Sequence, residues 1–276
     1  MTIKTRILLV LATASLLPAL AKAAAVLFIH PTLVMFEGNE RSATITLTNR
    51  GDQAGTFEMS WTNMQMTPGG GLVKVEGDAP WSIQSYVRYS PRRVTLNPLE
   101  SQVVRIAVRR GLEVPEGEYY SHFRVLTLNS EEVSVDVNDR NNSNQQNSSA
   151  VVIDARSAVA IPIVWRNSRE SSSASIEAVS VDPASNKLNV EVRRHGPLSV
   201  RGYLQVMEPK ADGSLSPLAE PVPLVIYPNL DSRTMSIDLN DGILAANLKS
   251  GTEIFYSPDL ELSDRSTVIA SYSLVP

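Results

Sequence analysis

The 276-residue chain has no cysteine, so it can form neither a disulfide nor a thiolate metal ligand, and it has no thiol nucleophile. Its stability has to come from packed apolar cores. Histidine is almost as scarce: His30, His122 and His195 fall on separate predicted strands or turns, without the i,i+2 or i,i+4 spacing of a ligand pair. Neither G-x-S-x-G nor H-E-x-x-H occurs, and the paired carboxylates Glu131-Glu132 sit in a polar segment with no fixed geometry. Pro68-Gly69-Gly70-Gly71 reads as a loop, because no helix start follows that would make it a phosphate cradle. The sequence therefore shows no catalytic residue, no metal ligand and no cofactor motif. A net charge of −4, with no basic stripe interleaved with aromatics, gives no support to a nucleic-acid partner.

Long apolar runs are also missing, with one exception near the N-terminus. Met1-Thr-Ile-Lys-Thr-Arg6 is a basic start, Ile7 to Leu20 an apolar middle, and Ala21-Lys22-Ala23 an A-x-A site, the layout of a cleaved secretory signal peptide over residues 1–23. No later stretch approaches the roughly twenty apolar residues of a membrane span, so membrane insertion is not expected of the mature chain. The expectation is an exported protein.

What is abundant is short-period alternation. Ala43, Ile45 and Leu47 alternate with threonines, and Phe57, Met59 and Trp61 with Glu58 and Ser60; Val104, Ile106 and Val108 form the inward row of a third run. Turn residues separate such runs, and no amphipathic helix intervenes. The segment Asn167 to Ser173 is hydrophilic, and beyond it strands resume between turns at Asp182-Pro183, His195-Gly196-Pro197, Asp212-Gly213 and Asp241-Gly242. The fold expected is all-β, with two immunoglobulin-like β-sandwich domains in tandem over residues 24–166 and 167–276.

One stretch stands out. Ala150 to Arg166 is rich in β-branched residues, free of internal glycine, and long enough for a single strand of roughly seventeen residues, where five or six is usual. One row carries Val151, Ile153, Ala155, Ser157, Val159, Ile161, Ile163 and Trp165. Before it, Asn129 to Ser149 is polar and low in complexity, too poor in apolar surface to order itself. A loop feeding a long strand leaves two alternatives from pattern alone: an edge available to another chain, or an ordinary central strand.

Taken in order, Phe36-Glu37-Gly38, Leu47-Thr48-Asn49, Ser90-Pro91-Arg92-Arg93 through Ser101-Gln102-Val103-Val104-Arg105, Gly117-Glu118-Tyr119, Ile161-Pro162-Ile163-Val164-Trp165-Arg166, and Val225-Ile226-Tyr227-Pro228 with Arg233 resemble the periplasmic chaperones of chaperone/usher pilus assembly. The resemblance spans essentially the whole mature chain. It implies a boomerang of two immunoglobulin-like domains that holds pilus subunits lacking one strand, lends them that strand, and delivers them to an outer-membrane usher. The lent row would be Val151, Ile153, Ala155, Ser157 and Val159. Ala155 and Ser157 are smaller than the bulky side chains usual there, which gives up roughly 2 kcal/mol of transfer energy per site. That family also anchors the subunit's C-terminal carboxylate with a first-strand arginine and a lysine near the end of the donor strand; here those slots hold Leu33 and Pro162. Arg88, Arg124, Arg156 and Arg166 are the substitutes the resemblance suggests. Self-association of the free protein is one way to cover such an edge. The alternative from another class is an exported adhesin or carbohydrate-binding module using its tryptophans. Trp61 and Trp165 lie on core rows, which leaves Trp81 as the exposed candidate.

Overall fold

The computed structural model describes residues 25–38, 40–77, 79–128, 131–136, 150–155, 157–262 and 265–274, with 131–136 and 150–155 described as backbone. The predicted signal peptide, residues 129–130 and 137–149 of the polar segment read between Asn129 and Ser149, and Arg156 lie outside the described residues.

The first sandwich is built from β1 (Leu27–His30), β2 (Val34–Glu37), β3 (Ser42–Asn49), β4 (Gly55–Thr62), β5 (Met64–Met66), β6 (Leu72–Lys74), β7 (Val87–Ser90), β8 (Arg93–Leu96), β9 (Ser101–Val108), β10 (Gly117–Thr127), β11 (Glu131–Asp136), β12 (Ala150–Ala155) and β13 (Ala158–Asn167). One sheet has the order β1-β3-β9-β7 and the facing sheet β2-β13-β10-β4-β8. The alternation read from the sequence is what places the core: Ile45 and Leu47 of β3, Phe57 and Met59 of β4, Val104 and Ile106 of β9, Phe123 and Val125 of β10, and Ile161, Ile163 and Trp165 of β13 meet in one buried cluster. Tyr119, near the start of β10, donates its hydroxyl to the Pro115 carbonyl at 3.1 Å, a corner found in immunoglobulin sandwiches. Asn49 ends β3 with its side chain fully spent. Nδ2 donates to the carbonyls of Gln53 (2.7 Å) and Leu96 (3.0 Å), and Oδ1 accepts from the amides of Val26 (3.2 Å) and Gly51 (3.0 Å).

The second sandwich contains β14 (Ser173–Asp182), β15 (Lys187–His195), β16 (Val200–Pro209), β17 (Leu215–Pro217), β18 (Val222–Ile226), β19 (Ser232–Asp238), β20 (Glu253–Ser257) and β21 (Ala270–Ser273). Its sheets run β14-β15-β19 and β17-β16-β20-β21, with β18 also paired to β16. Leu188, Val190 and Val192 of β15 face Leu204, Val206 and Ile254 across a separate core. The two cores, each with its own pair of sheets, make the chain an all-β tandem of sandwiches; its only helical pieces among the described residues are short 3-10 turns.

The stretch expected to be one long strand is two. β12 pairs antiparallel with β11 in a separate two-stranded ribbon, Val133 opposite Ile153 and Val135 opposite Val151. β13 starts at Ala158 and belongs to the sandwich. The segment read as an unstructured polar loop thus contributes β11 itself, carrying Glu131 and Glu132, because Val133 and Val135 provide the two-residue period that a strand requires.

Candidate functional site

The flank of β13 is open at its start, a stretch that takes in only Val159 of the donor row read from the sequence. On one side β13 pairs with β10 over its length, from Leu126 opposite Ala158 to Gly117 opposite Asn167. On the other, β2 joins in parallel only from Ile163, opposite Val34, to Arg166, opposite Glu37. Among the described residues, Ala158 to Pro162 therefore have a strand on one side and none on the other. The apolar row changes character at the same point: Ile161, Ile163 and Trp165 are buried in the core, while Val159, two steps earlier, is 40% exposed. Ser157 is exposed and is held at the end of β10, its carbonyl accepting from the Thr127 amide at 3.0 Å and its hydroxyl donating to Thr127 Oγ1 at 3.3 Å. Upstream, Val151, Ile153 and Ala155 lie at alternate positions of β12, whose ribbon has no third strand among the described residues.

The face of β13 and β10 turned away from the core looks at the second sandwich. Glu118, Tyr120, His122 and Arg124 alternate along β10 beside Arg166, Val164, Pro162 and Ala160 of β13. Tyr120, Val164 and Met66 pack against Tyr227 of the second sandwich, the two tyrosine rings meeting edge to face at 4.9 Å. Tyr227 Oη and His122 Nε2 lie 3.4 Å apart, and Asn229 Nδ2 donates to the Met66 carbonyl at 2.8 Å. Trp81 joins this seam, stacked on Tyr120 at 6.2 Å with its Nε1 buried. The one tryptophan expected to be free for a sugar is thus occupied between the sandwiches.

Beside the seam opens a cavity of about 540 Å3 lined from both sides, by Leu33, Met35 and Arg166 of the first sandwich and Arg201, Tyr203 and Val225 of the second. Leu33 borders it, so the slot where a first-strand arginine was expected does face a cleft. Arg166 on that side is held by carboxylates, and the second cation comes from the opposite wall. Arg201, on β16, has no carboxylate partner among the described residues, lies over the Tyr227 ring at 5.3 Å, and has a buried Nε without a hydrogen-bond partner. Burial, then the nearby Arg201 charge, pushes the His122 imidazole down to about 4, so His122 is neutral at ordinary pH. Burial likewise raises the Tyr120 and Tyr227 phenols, which stay protonated.

The four arginines suggested by the sequence are dispersed. Arg166 is committed to structure: Nε donates to Glu118 Oε2 at 3.1 Å, Nη1 to Glu37 at 2.9 Å and Nη2 to the Ser199 carbonyl at 2.8 Å. Arg124 is on the cleft-facing side of β10 but lines a different depression, with Ser60, Lys74 and Gln84. Arg88 is on β7 in the other sheet, and Arg156 is not among the described residues. Arg201 escaped sequence reasoning because only the tertiary arrangement brings β16 against β2 and β13. Its one local signal is a cation at an interior strand position on the row of Tyr203 and Gln205. Among the described residues, no group of three or more His, Asp or Glu is placed to hold a metal ion, and no helix is long and apolar enough to cross a membrane.

No protein-family model and no curated protein sequence matches the chain. Solved structures similar to it include the CsuC-CsuE chaperone-tip adhesion subunit pre-assembly complex from archaic chaperone-usher Csu pili of Acinetobacter baumannii, at 11% identity over 91% of this chain and 99% of that one, with a TM-score of 0.47. They also include the CupB2 chaperone of Pseudomonas aeruginosa, at 15% identity over 83% and 92% with a TM-score of 0.40, and the E. coli chaperone DraB, at 12% over 91% and 96% with a TM-score of 0.42. Chaperones, one of them from archaic chaperone-usher pili and another from class 5 fimbriae, recur among the solved structures that this all-β chain is similar to.

Proposed function

We propose that this protein is a periplasmic chaperone of the chaperone/usher type, exported by a signal peptide at residues 1–23, with working domains at 24–166 and 167–276. It holds a pilus subunit that lacks a strand by pairing its own open edge with that subunit, and passes the subunit to an outer-membrane usher. The observation that carries the reading is the flank of Ala158 to Pro162, unpaired among the described residues, at the point where an apolar row runs out of the core to an exposed Val159. Unpaired backbone donors and acceptors next to an apolar row are what an incomplete sheet pairs with: ladder bonds give sequence-tolerant affinity and alternate side chains give fit. Val151, Ile153, Ala155, Ser157 and Val159 are the donor row in this reading. Arg201, facing the cavity that Leu33 borders, takes the subunit's C-terminal carboxylate in place of the arginines expected from sequence. Its unpartnered Nε and its planar fork suit that group.

The test is co-expression with a subunit that aggregates alone. The wild-type chain should yield a soluble one-to-one complex, and Ile153→Asp and Val159→Asp should each stay folded and lose it. Recovery of the complex with both variants at wild-type yield would overturn the assignment of this edge.

A further inference from the structure

The sheet of the first sandwich that faces away from the cleft carries a feature that subunit capture does not use. Arg41, Arg88, Arg105, Arg109 and Arg110 line one concavity of about 530 Å3, with Trp165 also bordering it and no carboxylate in its lining. None of the five is in an ion pair among the described residues. Three are positioned without being neutralised. Arg41 Nη1 donates to the carbonyls of Gly38 and Glu40, both at 2.9 Å, Arg109 Nε to the Val87 carbonyl at 3.2 Å, and Arg105 Nη2 to Ser42 Oγ at 3.5 Å.

The chain as a whole is acidic, at −4, so a fifth of its 25 Lys and Arg residues converging on one hollow is not general basicity. Like charges gathered in a concave, partly walled site repel one another and focus a positive potential that an anionic ligand relieves.

We propose that this hollow is a docking site for an extended acidic polypeptide segment, with Asp or Glu side chains seated among the arginines. Three features select that occupant. The site is recessed, which suits a protruding segment better than the plane of a bilayer. Planar guanidinium forks match carboxylates in two-bond geometry. And β7, which carries Arg88, ends its sheet with no strand on its outer side among the described residues, so an extended backbone can run beside it. Leu112, 48% exposed at the rim, offers that segment an apolar contact. The inference is independent of the donor edge, since none of Ala158 to Pro162 lines the hollow.

A fluorescent peptide of alternating Glu and Val, titrated into the full chain at low and high salt, provides the test. Binding should weaken steeply with salt, and a Gln-for-Glu peptide should bind at least about tenfold more weakly. The exposed double variant Arg88→Glu/Arg105→Glu should lose binding by a similar factor, and Arg193→Glu on the second sandwich should not. Subunit capture should be unaffected in both. Equal binding of the Gln peptide, or indifference to charge reversal in a variant that melts like wild type, would overturn the proposal. So would arginine-dependent binding of inorganic phosphate or of phosphatidylglycerol vesicles when the Glu peptide does not bind.

Discussion

His122 is buried against Tyr227 with its Nδ1 unpartnered, and its imidazole titrates near 4 instead of the usual 6.5. The sign follows directly. Between those values the unfolded chain binds a proton that the folded chain refuses, so stability is full above about pH 6.5 and is lost as pH falls toward 4, by up to about 3 kcal/mol. Melting midpoints measured across that window should fall steeply for the wild type and less so for His122→Gln, whatever the variant's absolute stability. Arg201 gives a second residue-scale prediction: Arg201→Ala should leave the melting midpoint within a few degrees of wild type and weaken subunit capture by about tenfold or more, about 1.4 kcal/mol, with Arg201→Lys in between. A null effect on capture would move the anchor elsewhere. At this scale the sequence was only partly informative. Phe57, Ile45 and Val104 announced their burial by alternation alone, whereas His122 owes its depressed pKa to burial and to Arg201 in the other sandwich, and Arg201 meets the Tyr227 ring on a different strand connection. Burial follows from local period; the chemistry of a buried cation or imidazole follows from what the fold sets against it.

At the scale of elements, Asn49 closes four hydrogen bonds that tie the end of β3 to Val26 before β1, to the turn at Gly51 and Gln53, and to Leu96 at the end of β8. Asn49→Ala would leave several buried backbone groups unpaired, and chemical denaturation should show a loss of about 2–4 kcal/mol. The long apolar stretch shows where element reading stops. Its period of two runs from Val151 to Trp165, weakened only at Ala155 and Ser157, and reads as a single strand. Period cannot register that the partner changes, from β11 before the break to β10 after it, because pairing is a property of two segments and the row belongs to one. The same blindness hid β11, whose Val133 and Val135 are flanked by acids and read as loop until Ile153 and Val151 are set opposite them.

At the scale of the molecule, the two sandwiches are joined by more than the segment between them. Glu118, buried on β10, accepts from Arg166 Nε and also from the amide (3.1 Å) and hydroxyl (2.9 Å) of Ser199 in the second sandwich. Glu118→Ala leaves Arg166 with Glu37 alone and takes the acceptor from the buried Ser199 amide, and it should cost roughly 3 kcal/mol. Thermal unfolding should then separate into two steps, and small-angle scattering should report a wider spread of sandwich orientations. The hairpin of β5 and β6 reaches across as well, and Gly70 at its tip, with φ at +84°, leaves no room for a Cβ beside the Arg233 guanidinium. Under the proposed function, a body bolted together by tyrosines, a shared carboxylate and a tight hairpin resists the swivelling that would eject what it grips. If its guest is an unfinished pilus subunit, discharge must come from outside, by a rival strand that displaces the borrowed one step by step, and the pace of pilus growth would be set by that rival and not by any stroke of the carrier.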